Sequence, residues 1–264
     1  MACRWRRTPH TGLQTVSWLV QGEILHRDSL GSVQLVEPGQ LNLMTAGRGI
    51  SHSEQTPAEH GPLLHGVQLW VALPDASRGT EPAFEHRADL PRLSLPGVGD
   101  SAAEVVVIMG EVAGHASRAA VHSPLVAAEV SVRGTVDLPL SPEFEHALLV
   151  LDGEIDVSAG EDGADAATAL APGPLLYLGG SRPGVRVRSE PGQLARLLLI
   201  GGTPLGEDLV MWWNFVGRSH EEIVTAREDW QAGRGFGEVV GYPGERLPAP
   251  ALPGVRLRPR PPSS

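Results

Sequence analysis

The stretch "WLVQGEI" at residues 18–24 returns as "LVLDGEI" at 149–155. Apolar positions run into a glycine and a glutamate, and the chain resumes with isoleucine. A second pair follows: "EPGQLNL" at 37–43 and "APGPLLY" at 171–177. The first pair is 131 positions apart and the second 134, and the loop "SAGEDGADAATAL" at 158–170 accommodates the three extra residues. A fixed internal offset means a repeated structural unit. Each half reads as strand, Gly-Glu hairpin, strand, Pro-Gly turn, strand. With 32 Gly and 23 Pro in 264 residues, turns between short strands are abundant. The expected fold is all-β, two small antiparallel barrels or sandwiches in tandem. The proline-rich "LPRLSLPGVGDSAAE" at 90–104 is the expected boundary. This gives a first domain over 1–100, a second over 101–245 and a Pro/Arg-rich tail over 246–264.

Outward from the repeat, "TVSWLVQGEILH" alternates Val16, Trp18 and Val20, and "HGVQLWVAL" places Val67, Leu69 and Val71 on one face. "EVVVIMGEV", "LVAAEVSV", "EHALLVLDGEIDV" and "LARLLLIGG" are further strand candidates. "SHEEIVTAREDWQAG" departs from the pattern. Ser219 and Glu222 form a Ser-x-x-Glu capping box. Ile223, the stem of Arg227 and Trp230 follow at near-helical spacing, and Gly233 supplies a stop. One packing helix is expected over 219–232. The basic "VRLRPRPPSS" reads as a disordered tail.

Composition excludes several classes. The net charge of −10 argues against direct nucleic-acid binding, which needs clustered Lys and Arg. No run of about 18 apolar residues exists, so no membrane-spanning helix is expected. "MACRWRRTPH" has no apolar stretch behind it and does not read as a secretory signal. Cys3 is the single cysteine, which excludes an internal disulfide framework and a cysteine-rich zinc site. A cytoplasmic setting is the expectation.

One short motif carries chemistry. "GRGISHSEQ" at 47–55 sets His52 and Glu54 two positions apart behind a glycine turn. On a strand, residues i and i+2 share a face. Two readings stand: both side chains reach one ion, or both line a wet sheet face.

"TPHTGLQTVSWLVQGEI", "HRDSLGS", "PGQLNLMTAGRGISHSE", "HGVQLWVALP" and "MWWNFVGRSHEEIVTAREDWQAG" together resemble the pirin family of the cupin superfamily. The resemblance runs from about Thr8 to the end of the helix. It implies a bicupin, two tandem jelly-roll β-barrels with a C-terminal helix, and one metal, usually iron, in the first barrel. The family motif is His-x-His followed by His-x-Glu. Mapped here, it assigns His10, His52 and Glu54 as metal ligands, while Thr8 stands where the family has its first histidine. A threonine hydroxyl is a poor ligand, so three of four ligands remain. Two imidazoles and a carboxylate are the facial set of non-haem Fe(II) oxygenases. The resemblance gives His26, His60 and His65 no ligand role, and they are expected at the surface or behind the ligands.

Family members carry several tens of residues before the first metal histidine. Here nine precede His10, so the first barrel is expected to lack its first strands and to show an unpaired edge. In the second half, the repeat offset carries His10 to Ser141, His52 to Arg186 and Glu54 to Arg188, so no metal is expected there. His146 is expected as a packed or edge histidine. Trp212 and Trp213 are expected at a seam between barrels.

The resemblance implies two functions. One is a quercetin 2,3-dioxygenase-type enzyme using Fe(2+), acting on a flavonol or similar polyphenol. Glu54 would serve as ligand and general base, with Leu43 and Met44 near the substrate. The other is a non-enzymatic, iron-dependent co-regulator that binds a protein partner, and beside both stands a metal-depleted, truncated paralogue.

Overall fold

The computed structural model describes residues 6–158 and 167–259. Cys3, most of the inserted loop and the last five residues of the tail lie outside them. Contacts divide the chain into two compact units. The first combines the chain up to Ala88 with the chain from Leu205 onward, and the second is Asp89–Pro204. The linear split at residue 100 therefore differs from the structure in two ways. The helix and the C-terminal segment belong to the first unit. The expected linker at 90–104 is instead a strand pair of the second unit, with Arg92–Pro96 antiparallel to Ala102–Met109. Leu93 and Leu95 of this strand pack on the second unit's core.

The first unit has eight strands up to Arg87 and, after Leu205, a two-stranded sheet of Val210–Trp212 and Phe215–Gly217. The eight are β1 (Thr8–His10), β2 (Leu13–Gln21), β3 (Ile24–Asp28), β4 (Val33–Val36), β5 (Leu41–Thr45), β6 (Ile50–Gln55), β7 (His65–Ala72) and β8 (Ala83–Arg87). They form two antiparallel four-stranded sheets, ordered β1-β6-β3-β4 and β7-β2-β5-β8. The Gly-Glu turn is not a hairpin. β2 and β3 lie in different sheets, and Gly22, at φ 86°, turns the chain from one to the other. The reason is burial: both strands must aim an apolar or site-bearing face at the same interior, which a flat hairpin between them would not allow. The Pro-Gly turn before β5 makes the same passage between sheets.

The second unit repeats this wiring. Strands 175–179, 145–152 and 194–202 stand in the order of β5, β2 and β7. Strands 135–139, 184–189, 155–158 and 168–170 stand in the order of β1, β6, β3 and β4. The first sheet of this unit then continues with 125–133. Among the described residues β7 pairs on one side only, with β2, whereas its counterpart 194–202 pairs on both.

The two interiors differ in chemistry. The second unit is filled with hydrocarbon from Val105, Val107, Val130, Leu148, Leu197 and their neighbours. Of the fifteen buried polar or charged residues among those described, only Glu129, His146 and Ser189 lie in it. The other twelve are in the first unit. Burying a polar side chain costs free energy unless it is partnered, so such a concentration marks a functional interior.

The helix α1 spans His220–Ala232. Ser219 caps it, its hydroxyl accepting from the Glu222 backbone N–H. Glu222 does not complete the reciprocal box. Its carboxylate takes the Arg218 N–H at 2.9 Å and a guanidinium hydrogen from Arg78 at 2.8 Å. Gly233, at φ 72°, ends the helix in the left-handed conformation glycine favours. Ile223 and Trp230 are buried in a cluster with Val210, Phe215, Phe236 and Ala249. Trp212 and Trp213, expected at a seam between barrels, pack on this cluster within the first unit.

The Pro/Arg-rich segment from 246 is docked, and so are Arg256 and Leu257 of the stretch expected as a disordered tail. Arg246 lies 4.8 Å from the Trp230 ring centroid, the Trp230 indole N–H donates to the Leu247 carbonyl, and Arg256 pairs with Glu221. The Pro/Arg-rich composition suggested a solvated chain. Arginine, however, has a planar fork that stacks on an indole and caps free carbonyls, and it makes both contacts here.

Candidate metal centre

β6 is the middle of the site. Directly opposed residues of neighbouring antiparallel strands point to one face. His52 is opposed by Thr8 on β1 and by Asp28 on β3, and Glu54 is opposed by His26. His10 lies two residues from Thr8. Strand periodicity therefore sends Thr8, His10, His26, Asp28, His52 and Glu54 to the same side of one sheet. The facing sheet supplies the lid: Ser17 from β2, Gln68 and Trp70 from β7, and Phe84 from β8.

The turn before β6 is rigid. Gly47 has φ 51°, and a β-carbon there would sit 2.1 Å from the Thr80 carbonyl oxygen. Its own carbonyl accepts the Gly12 N–H at 2.9 Å, which ties the start of β2 to the start of β6.

His10, His26, His52 and Glu54 are all buried. The Nε2 atoms of His10 and His52 face each other at 3.0 Å. His26, His52 and Glu54 each offer one ligand atom, all within 4.8 Å of one another. His26 was given no ligand role by the resemblance, yet it is buried and its Nδ1 lies 3.9 Å from Glu54 Oε1. The His26-x-Asp28 pair, at the same spacing as His52-x-Glu54, is the sequence signal that points to it. His60 and His65 are exposed, and neither belongs to the cluster. His146 is buried in its strand beside Phe144.

The electrostatics suit a cation. Burial drives the pKa of His52 down to about 4, partly opposed by the charge of Glu54. Burial, and then the charge of His52, take His10 well below the usual histidine range. Both are therefore neutral imidazoles at pH 7, the form that ligates metal. Burial alone would raise the pKa of Glu54. The nearby His26 with its charge, the charge of His52 and the Gln68 amide outweigh it and hold the group anionic. For His26 burial pulls down, but the hydrogen bond to Asp28 and the nearby Glu54 carboxylate outweigh it and the pKa rises. Gln68 donates to both Glu54 oxygens, at 3.1 and 3.0 Å. Buried His52 Nδ1 has no hydrogen-bond partner. The neutral imidazole of His52, the anionic Glu54 and His26 fit a single divalent ion, and His10 adjoins His52 but lies outside that group of three.

At the corresponding places in the second unit, Arg186 is paired with Asp137 and Arg188 with Asp156. Guanidinium groups repel a cation, so this half offers no equivalent centre.

Comparison with known families gives two matches along the chain. The Pirin family model matches residues 2–71, and the Pirin C-terminal cupin domain matches 125–237. The chain belongs to the pirin family. A provisionally named quercetin 2,3-dioxygenase of Pseudomonas aeruginosa is 44% identical over 93% of this chain and 74% of its own length. Human pirin is 32% identical over 86% and 77%. A crystal structure of a quercetin 2,3-dioxygenase from Acinetobacter baumannii superposes with TM-score 0.85 at 38% identity, covering 96% of this chain and 81% of that one. The tandem β units expected from the repeat, and the bicupin implied by the resemblance, are those of the pirin fold. No helix among the described residues is long and apolar enough to cross a membrane.

A cleft lined by Ser17, Leu19, Ile24, Leu64, Val67 and Gln68 lies against the pirin site. Ser17 and Gln68 both touch Glu54. A larger cleft lined by Arg48, Arg78 and Glu222 contains none of the four clustered residues. Met44 is in register with Phe84 and so faces the site's side of its sheet, while Leu43 points to the opposite face.

Proposed function

We propose that this chain is a metal-dependent oxygenase of the quercetin 2,3-dioxygenase type, acting on a flavonol or related polyphenol. One Fe(2+) is held at the centre built on His10, His52 and Glu54. The observation that carries the reading is the burial of two neutral imidazoles and one anionic carboxylate on a single sheet face. The names of the P. aeruginosa and A. baumannii relatives support the substrate class. When bound, the ion would act as a Lewis acid toward the substrate's hydroxyl and carbonyl oxygens, with positions left open for O2.

The chain's own residues do the rest. The cleft lined by Ser17 and Gln68, both of which touch Glu54, is where the substrate's ring would lie. Glu54 accepts the substrate's hydroxyl proton at a carboxylate oxygen. Gln68, donating to both oxygens, fixes the carboxylate plane and limits the directions from which that proton arrives. Trp70, edge-on to His10, and Phe84, stacked on His26 with centroids 4.5 Å apart, keep water from the imidazoles.

The test is loss of flavonol absorbance under air by iron-loaded protein. Turnover that disappears in Glu54→Gln supports the reading. Confirmed iron loading with no absorbance change removes this substrate class.

A further inference from the structure

Resting on the reading of this cluster as a metal centre, we infer that His26 is its third imidazole ligand, taking over the role left open by Thr8, with Asp28 as the residue that orients it. Three independent features place it there.

The first is convergence. His26 approaches from β3, across β6 from Thr8 and His10, and its ligand atom lies within 4.8 Å of those of His52 and Glu54. His52 and Glu54 are therefore flanked on both sides, by His10 on β1 and by His26 on β3.

The second is polarity. His26 has its two nitrogens on different tasks. Nε2 lies 3.2 Å from Asp28 Oδ2, and Nδ1 faces Glu54. With an Nε2–H donated to Asp28, Nδ1 is the nitrogen that faces Glu54 and that would offer its lone pair to a bound ion. This carboxylate–histidine arrangement commonly sets the tautomer of a metal-ligating imidazole.

The third is that Asp28 is itself held. It is fully buried, and its Oδ1 accepts the backbone N–H groups of Leu30 and Ser32 at 2.9 and 3.0 Å. Phe84 stacks on the other side of the ring, at an interplanar angle of 14°, and blocks its rotation. The turn after β3 thus fixes Asp28, and Asp28 with Phe84 fixes His26.

The site consequently does not lack an imidazole where the family motif is broken. It draws one from the opposite flank of the same central strand.

The experiment measures affinity for Co(2+), by competition with a chelator, in the full chain and its His26→Gln, Asp28→Asn, His52→Ala and Thr8→His/His26→Gln variants. X-ray absorption counts the imidazoles on the bound ion. The parent should show three imidazoles and His26→Gln two. His26→Gln should lose about tenfold or more in affinity, and Asp28→Asn about 10–100-fold. Thr8→His should restore the His26→Gln loss, a rescue that a purely packing role for His26 does not predict. Thermal unfolding of each metal-free variant separates lost binding from lost fold, and the rescue variant carries the test if His26→Gln alone unfolds. Two imidazoles in the parent, or unchanged affinity in a folded His26→Gln protein while His52→Ala binds nothing, would overturn the role of His26 and leave the metal centre standing. A parent that binds no Co(2+) overturns both.

Discussion

Thr8 and His52 are directly opposed across β1 and β6, so the threonine methyl and hydroxyl are presented to the same face as the imidazole. The broken position of the family motif is therefore inside the site, and its side chain is a structural neighbour of the candidate ligands.

Restoring histidine at this position should tighten the site. Thr8→His adds a neutral nitrogen beyond the imidazole that His26 is inferred to supply, in a position otherwise left to water, and Fe(2+) or Ni(2+) affinity should rise about tenfold or more. A chelator titration giving equal affinities for the two forms would show that an imidazole at residue 8 does not reach the ion.

Stoichiometry should not exceed one ion per chain. The second unit places Arg186 and Arg188, each ion-paired, where the first has His52 and Glu54. Elemental analysis of metal-loaded protein should give one equivalent or less, and His52→Ala should remove it. Two equivalents, or an unchanged content in the variant, contradicts the single-site reading.

Glu54→Gln separates charge from shape. The amide keeps the volume but removes the anion that Gln68, His26 and His52 surround. Metal affinity should fall, and flavonol turnover per bound ion should fall by about 10²–10⁴, the usual worth of a positioned proton acceptor. Turnover per bound ion equal to the parent's would remove Glu54 as the base.

The helix should contribute to the stability of the first unit. Trp230→Ala empties a buried site between Phe236 and the Arg246 guanidinium and should cost about 3–5 kcal/mol. Ser219→Ala removes the cap and should cost about 1 kcal/mol. Denaturant unfolding monitored in the first unit reads both. A Trp230→Ala cost near that of Ser219→Ala would show that the C-terminal segment is not packed on the helix.

Gly47→Ala should be disproportionately harmful for one methyl group. The left-handed backbone costs about 1–2 kcal/mol for a residue with a β-carbon, and the Thr80 carbonyl occupies the space the methyl needs. The same urea titration should show a loss well beyond that of a solvent-exposed Gly→Ala change such as Gly79→Ala, where nothing lies within 4 Å.

The sequence by itself determined the repeat, the strands and half of the site. Alternation of apolar residues marks a strand because side chains alternate strictly across a sheet, and the 131–134 offset could only come from two units of the same wiring. His52 and Glu54 were legible for the same reason, being two apart on one strand. The helix was legible from its cap, its apolar spacing and Gly233. What the sequence could not supply was the partner of each strand. The Gly-Glu turn looked like a hairpin, yet the strands it joins pair elsewhere, β2 with β5 and β7, β3 with β4 and β6. Register across β6 is a long-range property, and it alone brought His26 and Asp28 opposite Glu54 and His52. The described start of the stretch read as a disordered tail was likewise misread, because composition reports a chain's solubility and not the Glu221 carboxylate and His220 imidazole that hold Arg256 and Leu257. Local pattern fixes which face a residue is on. Which faces meet is decided by the packing of sheets whose strands are distant in sequence, and the metal centre is assembled at that level.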